Sequence, residues 1–218
     1  MLFAAAIFLS GCAGQDGGGA ERMLKEAAEK AEKEGTVLRG QIRSEIAGTV
    51  VLGADSVYFD PERVKSAGEH SAAPGLEEAL IGLKDLGDSA ALVVRTRGRD
   101  GHTVLEAEME PERVKERVRA YFAAHRSWMR RLYGEPGAGP DAGVRGPGAL
   151  EAEERKWEEL LDSLDASAVY RLYLDPASRR LIRLDASMTL RYNKDGGRTE
   201  EHIAARYEAV RGDGPPGG

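Results

Sequence analysis

The sequence is poor in the residues from which catalytic and metal sites are usually built. Its 218 residues include one cysteine and four histidines, and aromatic residues make up only 6%. A single thiol cannot form an internal disulfide, so the fold must be held by a packed core. Sequence motifs for zinc, phosphate loops, dinucleotides and a serine nucleophile elbow are absent. We therefore expect no metal, no cofactor and no catalytic residues, and a protein that is not an enzyme.

A net positive charge and a long apolar run are also lacking. The net charge is −6 and the isoelectric point is about 5.4, which gives no electrostatic support for a nucleic-acid partner. The apolar run at positions 2–9 is too short to cross a bilayer, because a spanning helix needs about 20 residues. With 41% apolar and 31% charged residues, the rest of the chain has the composition of a globular domain.

The one cysteine lies directly after that apolar run, in the sequence LSGC at positions 9–12. The run has the length of the central region of a secretory signal, and small residues lead from it to Cys12. This arrangement resembles the bacterial lipoprotein signal, or lipobox, in which the thiol receives a diacylglyceryl group and the chain is cut just before it.

This resemblance implies that residues 1–11 are a signal peptide and that Cys12 is the lipidated first residue of the mature chain. The glycine-rich residues 12–20 then form a flexible tether. The protein would be exported and anchored by its acyl chains to the outer face of the bacterial cell membrane. The alternative is that Cys12 is an ordinary small apolar residue in a degenerate signal or a short core helix.

Residues 21–210 are expected to form a single α+β domain. The apolar period of residues 20–34 predicts a helix, with Gly35 where a C-cap would lie. Alternation from residue 36 to 46 predicts a half-buried strand, followed by two short strand pieces at 49–52 and 56–59 around a glycine. A short leucine-rich helix is predicted at 74–86.

Two similar passages, DPERVK at 60–65 and EPERVK at 110–115, each predict a strand that turns into a helix. Proline suits the first helical position because its missing N–H would be unpaired there. A repeated binding motif is the alternative. Before the second copy, residues 89–96 and 102–109 predict a hairpin around Asp100 and Gly101, and after it a helix runs to residue 133.

Glycine and proline are concentrated at 134–148, which predicts an exposed loop. A helix is expected at 149–164. Strands at 169–174, 181–192 and 199–210 then predict a three-stranded antiparallel meander, whose middle strand alternates apolar and polar residues throughout. Residues 211–218 are expected to be a disordered tail.

Three passages and their order give this chain a resemblance to the LolA/LppX-like lipoprotein superfamily. They are MLKEAA at 23–28, VLEAEMEP at 104–111, and YLD at 173–175 with RLIRL at 180–184. The resemblance implies a curved, incomplete antiparallel barrel, or half-barrel, with helices covering its concave face. It also implies that this apolar face can hold acyl chains.

From the residues alone, the apolar face of the meander is either a closed core or the lining of a cavity. With the resemblance, we expect a membrane-anchored lipoprotein that binds or carries a lipid or acyl chain without catalysis. The alternative is a lipid-anchored module with a filled core that engages a protein partner or senses the state of the envelope. The residues expected to contact the ligand are Leu80, Leu83, Trp157, Leu161, Met188, Leu190, Tyr192 and Tyr207.

Overall fold

The structure is a computed structural model that describes residues 17–59, 83–133, 147–194 and 196–210. These residues form an α+β fold of seven strands and four helices. The strands are β1 Val37–Ile46, β2 Thr49–Phe59, β3 Ala90–Arg97, β4 Thr103–Met109, β5 Asp165–Leu174, β6 Leu181–Lys194 and β7 Gly197–Val210. The helices are α1 Gly17–Lys33, α2 Leu83–Ser89, α3 Pro111–Tyr133 and α4 Pro147–Asp162.

All seven strands belong to one open antiparallel sheet with the order β2-β1-β7-β6-β5-β4-β3. The predicted meander β5-β6-β7 forms its centre, and the hairpin β3–β4 extends it on one side. On the other side, β1 pairs with β7 over its whole length, from Val37 opposite Val210 to Ile46 opposite Glu201. Among the described residues, the first strand and the last strand are therefore neighbours, so β1 and β2 join the sheet through a contact between residues far apart in the chain.

The helices pack against the sheet and bury its apolar face. Helix α1 packs on α2 and β3, α3 packs on β5, and α4 packs on β6. One contiguous core joins these elements, and Leu24, Leu105, Leu172, Leu184 and Tyr207 are all 0–1% exposed within it. Burial of this kind is the main source of stability in a chain without disulfides, because each large apolar side chain contributes about 1.5–3 kcal/mol.

Several local predictions are confirmed. Gly35 has a positive φ of 59°, its N–H donates to the Glu32 carbonyl, and the Thr36 N–H donates to the Ala31 carbonyl, so α1 ends in a Schellman motif. The Asp100-Gly101 turn joins β3 to β4, and Gly101 has a φ of 80°. Helix α3 begins at Pro111 as predicted.

The first β region is longer than we predicted. Two short pieces around Gly53 were expected, whereas β2 is one continuous strand from Thr49 to Phe59. Its pairing with β1 shifts register between Gly40 and Gln41 and between Ser44 and Glu45. These bulges allow the strand to continue through a sequence whose alternation is interrupted.

The boundary between α4 and β5 also differs from the prediction. The helix ends at Asp162, and β5 begins at Asp165, four residues before the predicted strand. Ser163 ends the helix by donating its hydroxyl to the carbonyls of Glu159 and Leu160. The extra strand residues alternate in burial but include two alanines, whose helical preference concealed the strand.

Two helix starts need correction as well. Residues 17–20, which we assigned to the tether, are the first turn of α1. Residues 147 and 148, which we assigned to the glycine-rich loop, begin α4. The predicted helix at 74–86 overlaps α2 at residues 83–86, and α2 continues to Ser89.

Some predictions lie outside the described residues. They are the signal peptide, Cys12, the rest of the tether, the first PERVK passage, residues 74–82, residues 134–146 of the predicted loop, and the tail at 211–218.

Candidate functional site

The predicted ligand-contacting residues of β6 lie in a row on the buried face of the sheet. Met188 and Leu190 are each 3% exposed, and Tyr192 is 7% exposed. Met188 is opposite Ile203 of β7, which is equally buried. Tyr207 is on the same face and is fully buried, but it is opposite Leu184, at the other end of the row. The sheet therefore brings three of these four residues together and sets Tyr207 apart from them.

Helix α4 places the predicted helix residues near this face. Leu161 is half-buried and packs against the core, and α4 as a whole packs on β6. The ring of Trp157 lies 5.0 Å from that of Phe122 in α3, with an interplanar angle of 43°. Trp157 therefore joins two helices. Leu83 is the first residue of α2, with its side chain outside the described part, and Leu80 lies outside the described residues altogether.

A polar cluster lies at one end of the apolar row and is made by three neighbouring strands. Glu201 of β7 accepts one hydrogen bond on each carboxylate oxygen. The Ser44 hydroxyl of β1 donates to Oε1, and the Tyr192 hydroxyl of β6 donates to Oε2 at 3.1 Å. Ser44 is 1% exposed, while Glu201 is half-buried. We call these three residues the Glu201 cluster.

The Glu201 cluster is on the apolar side of the sheet, since alternate residues of a strand share a face. Glu201 is two residues before the buried Ile203, and Ser44 is two residues after the buried Ile42. The end of α4 is held beside the cluster, because the Asn193 N–H donates to the Ser163 hydroxyl at 2.8 Å. A carboxylate and two hydroxyls thus mark the point where the apolar face meets solvent.

The local environment keeps the Tyr192 phenol protonated. Burial is the largest cause, and together with the negative charge of Glu201 and the hydrogen bond to it, burial raises the pKa of Tyr192 to about 12. A neutral phenol is a hydrogen-bond donor, so it can hold one carboxylate oxygen at all physiological pH values. The cluster is therefore a fixed acceptor site with its two donors already in place.

The alternation of β6 pointed to Tyr192 as a site residue, whereas Ser44 and Glu201 were not predicted to belong to a site. The sequence did contain a signal for them, because each lies in the same every-second-residue series as the apolar residues of its strand. A charged residue at an inward position is rare unless it is paired or functional. Glu201 was missed because the inward set of β7 was counted only from Ile203 onward.

Two other properties bear on function. Within the described part of the chain, no helix combines the length and the apolar content that crossing a bilayer requires. The same residues contain no group of three or more His, Cys, Asp and Glu side chains that could hold a metal ion.

Comparisons of the chain with protein-family models, with curated proteins and with solved structures found no match. The resemblance to LolA/LppX-like lipoproteins therefore stays a prediction from the sequence.

Proposed function

We propose that this protein is an exported lipoprotein, anchored through Cys12, that binds the acyl chain of a lipid against the apolar face of a curved, LolA-like sheet. The observation that carries the proposal is the buried row Met188, Leu190 and Tyr192, which lies beneath α4 and ends at a polar cluster. An apolar surface with a few polar groups at its rim is the usual form of a small-molecule site.

The direction of α1 supports an anchor on the same side as this cluster. Near its C-terminus, Lys30 donates to the Ser178 carbonyl at 2.7 Å, and Glu34 pairs with Arg180 at 3.2 Å. Helix α1 therefore points its N-terminus away from the loop between β5 and β6. The Glu201 cluster also lies at the strand ends opposite that loop, since Tyr192 is near the far end of β6.

The reach of the chain limits where the anchor can be. Cys12 precedes Gly17 by five residues. A chain of that length spans at most about 18 Å even when fully extended. An acylated Cys12 would hold the N-terminus of α1, and with it this side of the domain, close to the membrane surface.

A filled core supports the second candidate, a lipid-anchored interaction or sensing module. Leu105, Leu172 and Leu184 are all fully buried near the centre of the sheet. Because the side chains are closely packed there, a ligand could bind only on the part of the face nearer Tyr192.

The anchor is tested by fractionating cells that express the wild type, Cys12→Ala, or Ser10→Ala as a control that keeps the thiol. We expect Cys12→Ala to move from the membrane to the soluble fraction, and Ser10→Ala to stay with the membrane. Intact mass should show a diacylglyceryl group on the wild type. Unchanged fractionation of Cys12→Ala would remove the anchor from the proposal.

The ligand site is tested with a matched pair of substitutions, Met188→Trp on the buried face and Ser187→Trp on the solvent face of the same strand. If the face binds an acyl chain, the wild type and Ser187→Trp should bind a fluorescent fatty-acyl probe, and Met188→Trp should not. If the interior is filled, no form should bind the probe, and Met188→Trp should lose about 1–3 kcal/mol of stability from overpacking. The second result would establish the alternative.

A further inference from the structure

The carboxylate of Glu201 differs from the other paired carboxylates of the sheet because its partners are neutral. Its two oxygens accept from Ser44 and Tyr192, and among the described residues no Lys, Arg or His forms an ion pair with it. The adjacent Glu200, on the opposite face, shows the usual arrangement. Arg191 Nε lies 2.6 Å from one Glu200 oxygen, and His202 Nε2 lies 2.8 Å from the other.

Hydroxyl groups orient a carboxylate but do not neutralise it. Both Ser44 and Tyr192 are buried, so the carboxylate has a largely desolvated side, where an uncompensated charge is costly. Two ionised oxygens offer about four acceptor positions, and two are used here. The free positions of the half-buried Glu201 can accept hydrogen bonds from a group that approaches from solvent.

The sign of the charge determines which head group fits. A carboxylate or phosphate head would be repelled by Glu201 at close range, whereas an ammonium would supply both the missing positive charge and the missing donors. The apolar row from Tyr192 to Met188 begins at the cluster, so a chain attached to that head would lie along buried apolar side chains.

We infer that Glu201, held by Ser44 and Tyr192, is the head-group subsite for an amphiphile that carries a primary ammonium, and this inference rests on the proposed binding of an apolar chain to the same face. This subsite selects the head group of the amphiphile by its charge. The apolar row binds the attached chain and contributes the same affinity whatever the head group is.

The test measures how well dodecylamine and dodecanoate displace N-phenylnaphthylamine, a neutral apolar fluorescent probe, from the full-length protein at pH 7.5. We expect dodecylamine to bind the wild type about tenfold more tightly than dodecanoate, the size of one charge-assisted hydrogen bond. Glu201→Gln should abolish this preference through weaker amine binding and stronger dodecanoate binding.

Glu200→Gln is the matched control. It removes the same charge one residue away but on the other face, so any general attraction of cations to an acidic protein falls equally in both variants. We expect the preference for the amine to survive in Glu200→Gln. Ser44→Ala should reduce it only in part, because Tyr192 still holds the carboxylate.

The outcomes separate the inference from the proposed function. If the naphthylamine probe and both amphiphiles fail to bind, the proposed binding of an apolar chain is wrong. If all bind but dodecanoate matches dodecylamine in the wild type, or Glu201→Gln keeps the preference, the inference alone is overturned.

Discussion

On strand β6, Met188 is 3% exposed and touches the core, while the residues on either side of it, Ser187 and Thr189, face the outer side of the sheet. The same backbone therefore presents two surfaces of opposite chemistry. The inner face of β6 is apolar from Leu184 to Tyr192, where the Glu201 cluster begins. The outer face carries a row of charged residues directly opposite one another on four strands, in the order Glu106, Arg171, Asp185 and Arg206.

The signs alternate along this outer row. Arg171 Nε lies 2.5 Å from Glu106 Oε2, and Arg206 Nε lies 3.4 Å from Asp185 Oδ1. Hydrogen bonding to Glu106 raises the pKa of Arg171. Exposed ion pairs of this kind contribute little stability. However, a shift of one residue in the strand register would move the charged side chains to the core side of the sheet. We infer that the inner face provides stability and that the outer face specifies register.

The largest effect should come from the inner face. Leu184→Ala removes a fully buried side chain, so the free energy of unfolding should fall by about 2–5 kcal/mol. Ser187→Ala, on the outer face of the same strand, should change it by less than about 0.5 kcal/mol. Urea denaturation of both variants measures the difference, and similar losses would contradict a division of roles between the faces.

A second substitution tests backbone proximity on the inner side. A Cβ added at Gly40 would lie 1.8 Å from the Arg206 carbonyl oxygen of β7, so β1 can follow β7 here only without a side chain. Gly40→Ala should cost about 3 kcal/mol. In Gly18→Ala, by contrast, the added methyl meets nothing within 4 Å, and no loss is expected. Thermal denaturation compares the two, and an unchanged melting temperature for Gly40→Ala would show that the strands can separate at no cost.

The polar end of the inner face should make the stability depend on pH through Tyr192. Because the pKa of Tyr192 is raised from 10.0 to about 12, the folded protein holds the phenol proton more tightly than the unfolded chain. The resulting stabilisation is complete below pH 10 and is lost as the pH rises toward 12. The stability difference between wild type and Tyr192→Phe should therefore be constant up to pH 10 and then shrink. Urea denaturation at stepped pH measures it, and a constant difference up to pH 12 would disprove the raised pKa.

The smallest effect should come from the outer row. A double-mutant cycle of Glu106→Gln and Arg171→Gln should give a coupling energy of about 0.2–1 kcal/mol at low salt. The coupling should diminish in 1 M salt, where the screening length is about 3 Å. A coupling of several kcal/mol that persists in salt would mean that the outer face also stabilises the fold.

The local structure was largely predictable from the sequence. The proline that opens α3, the Asp100-Gly101 hairpin and the Gly35 cap each follow from the φ preference or missing donor of one residue. The alternation of β6 predicted both its span and its buried face. The start of β5 was missed because Ala166 and Ala168 favour helices, and only their burial against the sheet makes them a strand.

The candidate site was predictable only in part. The apolar row on β6 could be recognised because its period is two, but the Glu201 cluster joins residues from β1, β6 and β7. Ser44 and Glu201 are separated by 157 positions in the chain. Nothing local indicates that these two residues meet, because their contact requires the pairing of the first strand with the last.

The amino-acid sequence by itself determined most of the elements, the apolar side of β6, and the likeness of residues 9–12 to a lipoprotein signal, because these depend on side chains a few positions apart. Only the tertiary structure decided that β1 pairs with β7 and that a carboxylate meets two hydroxyls at the end of the apolar face. Such contacts between distant residues are selected by the packing of the whole sheet, in which burial and register must be satisfied together.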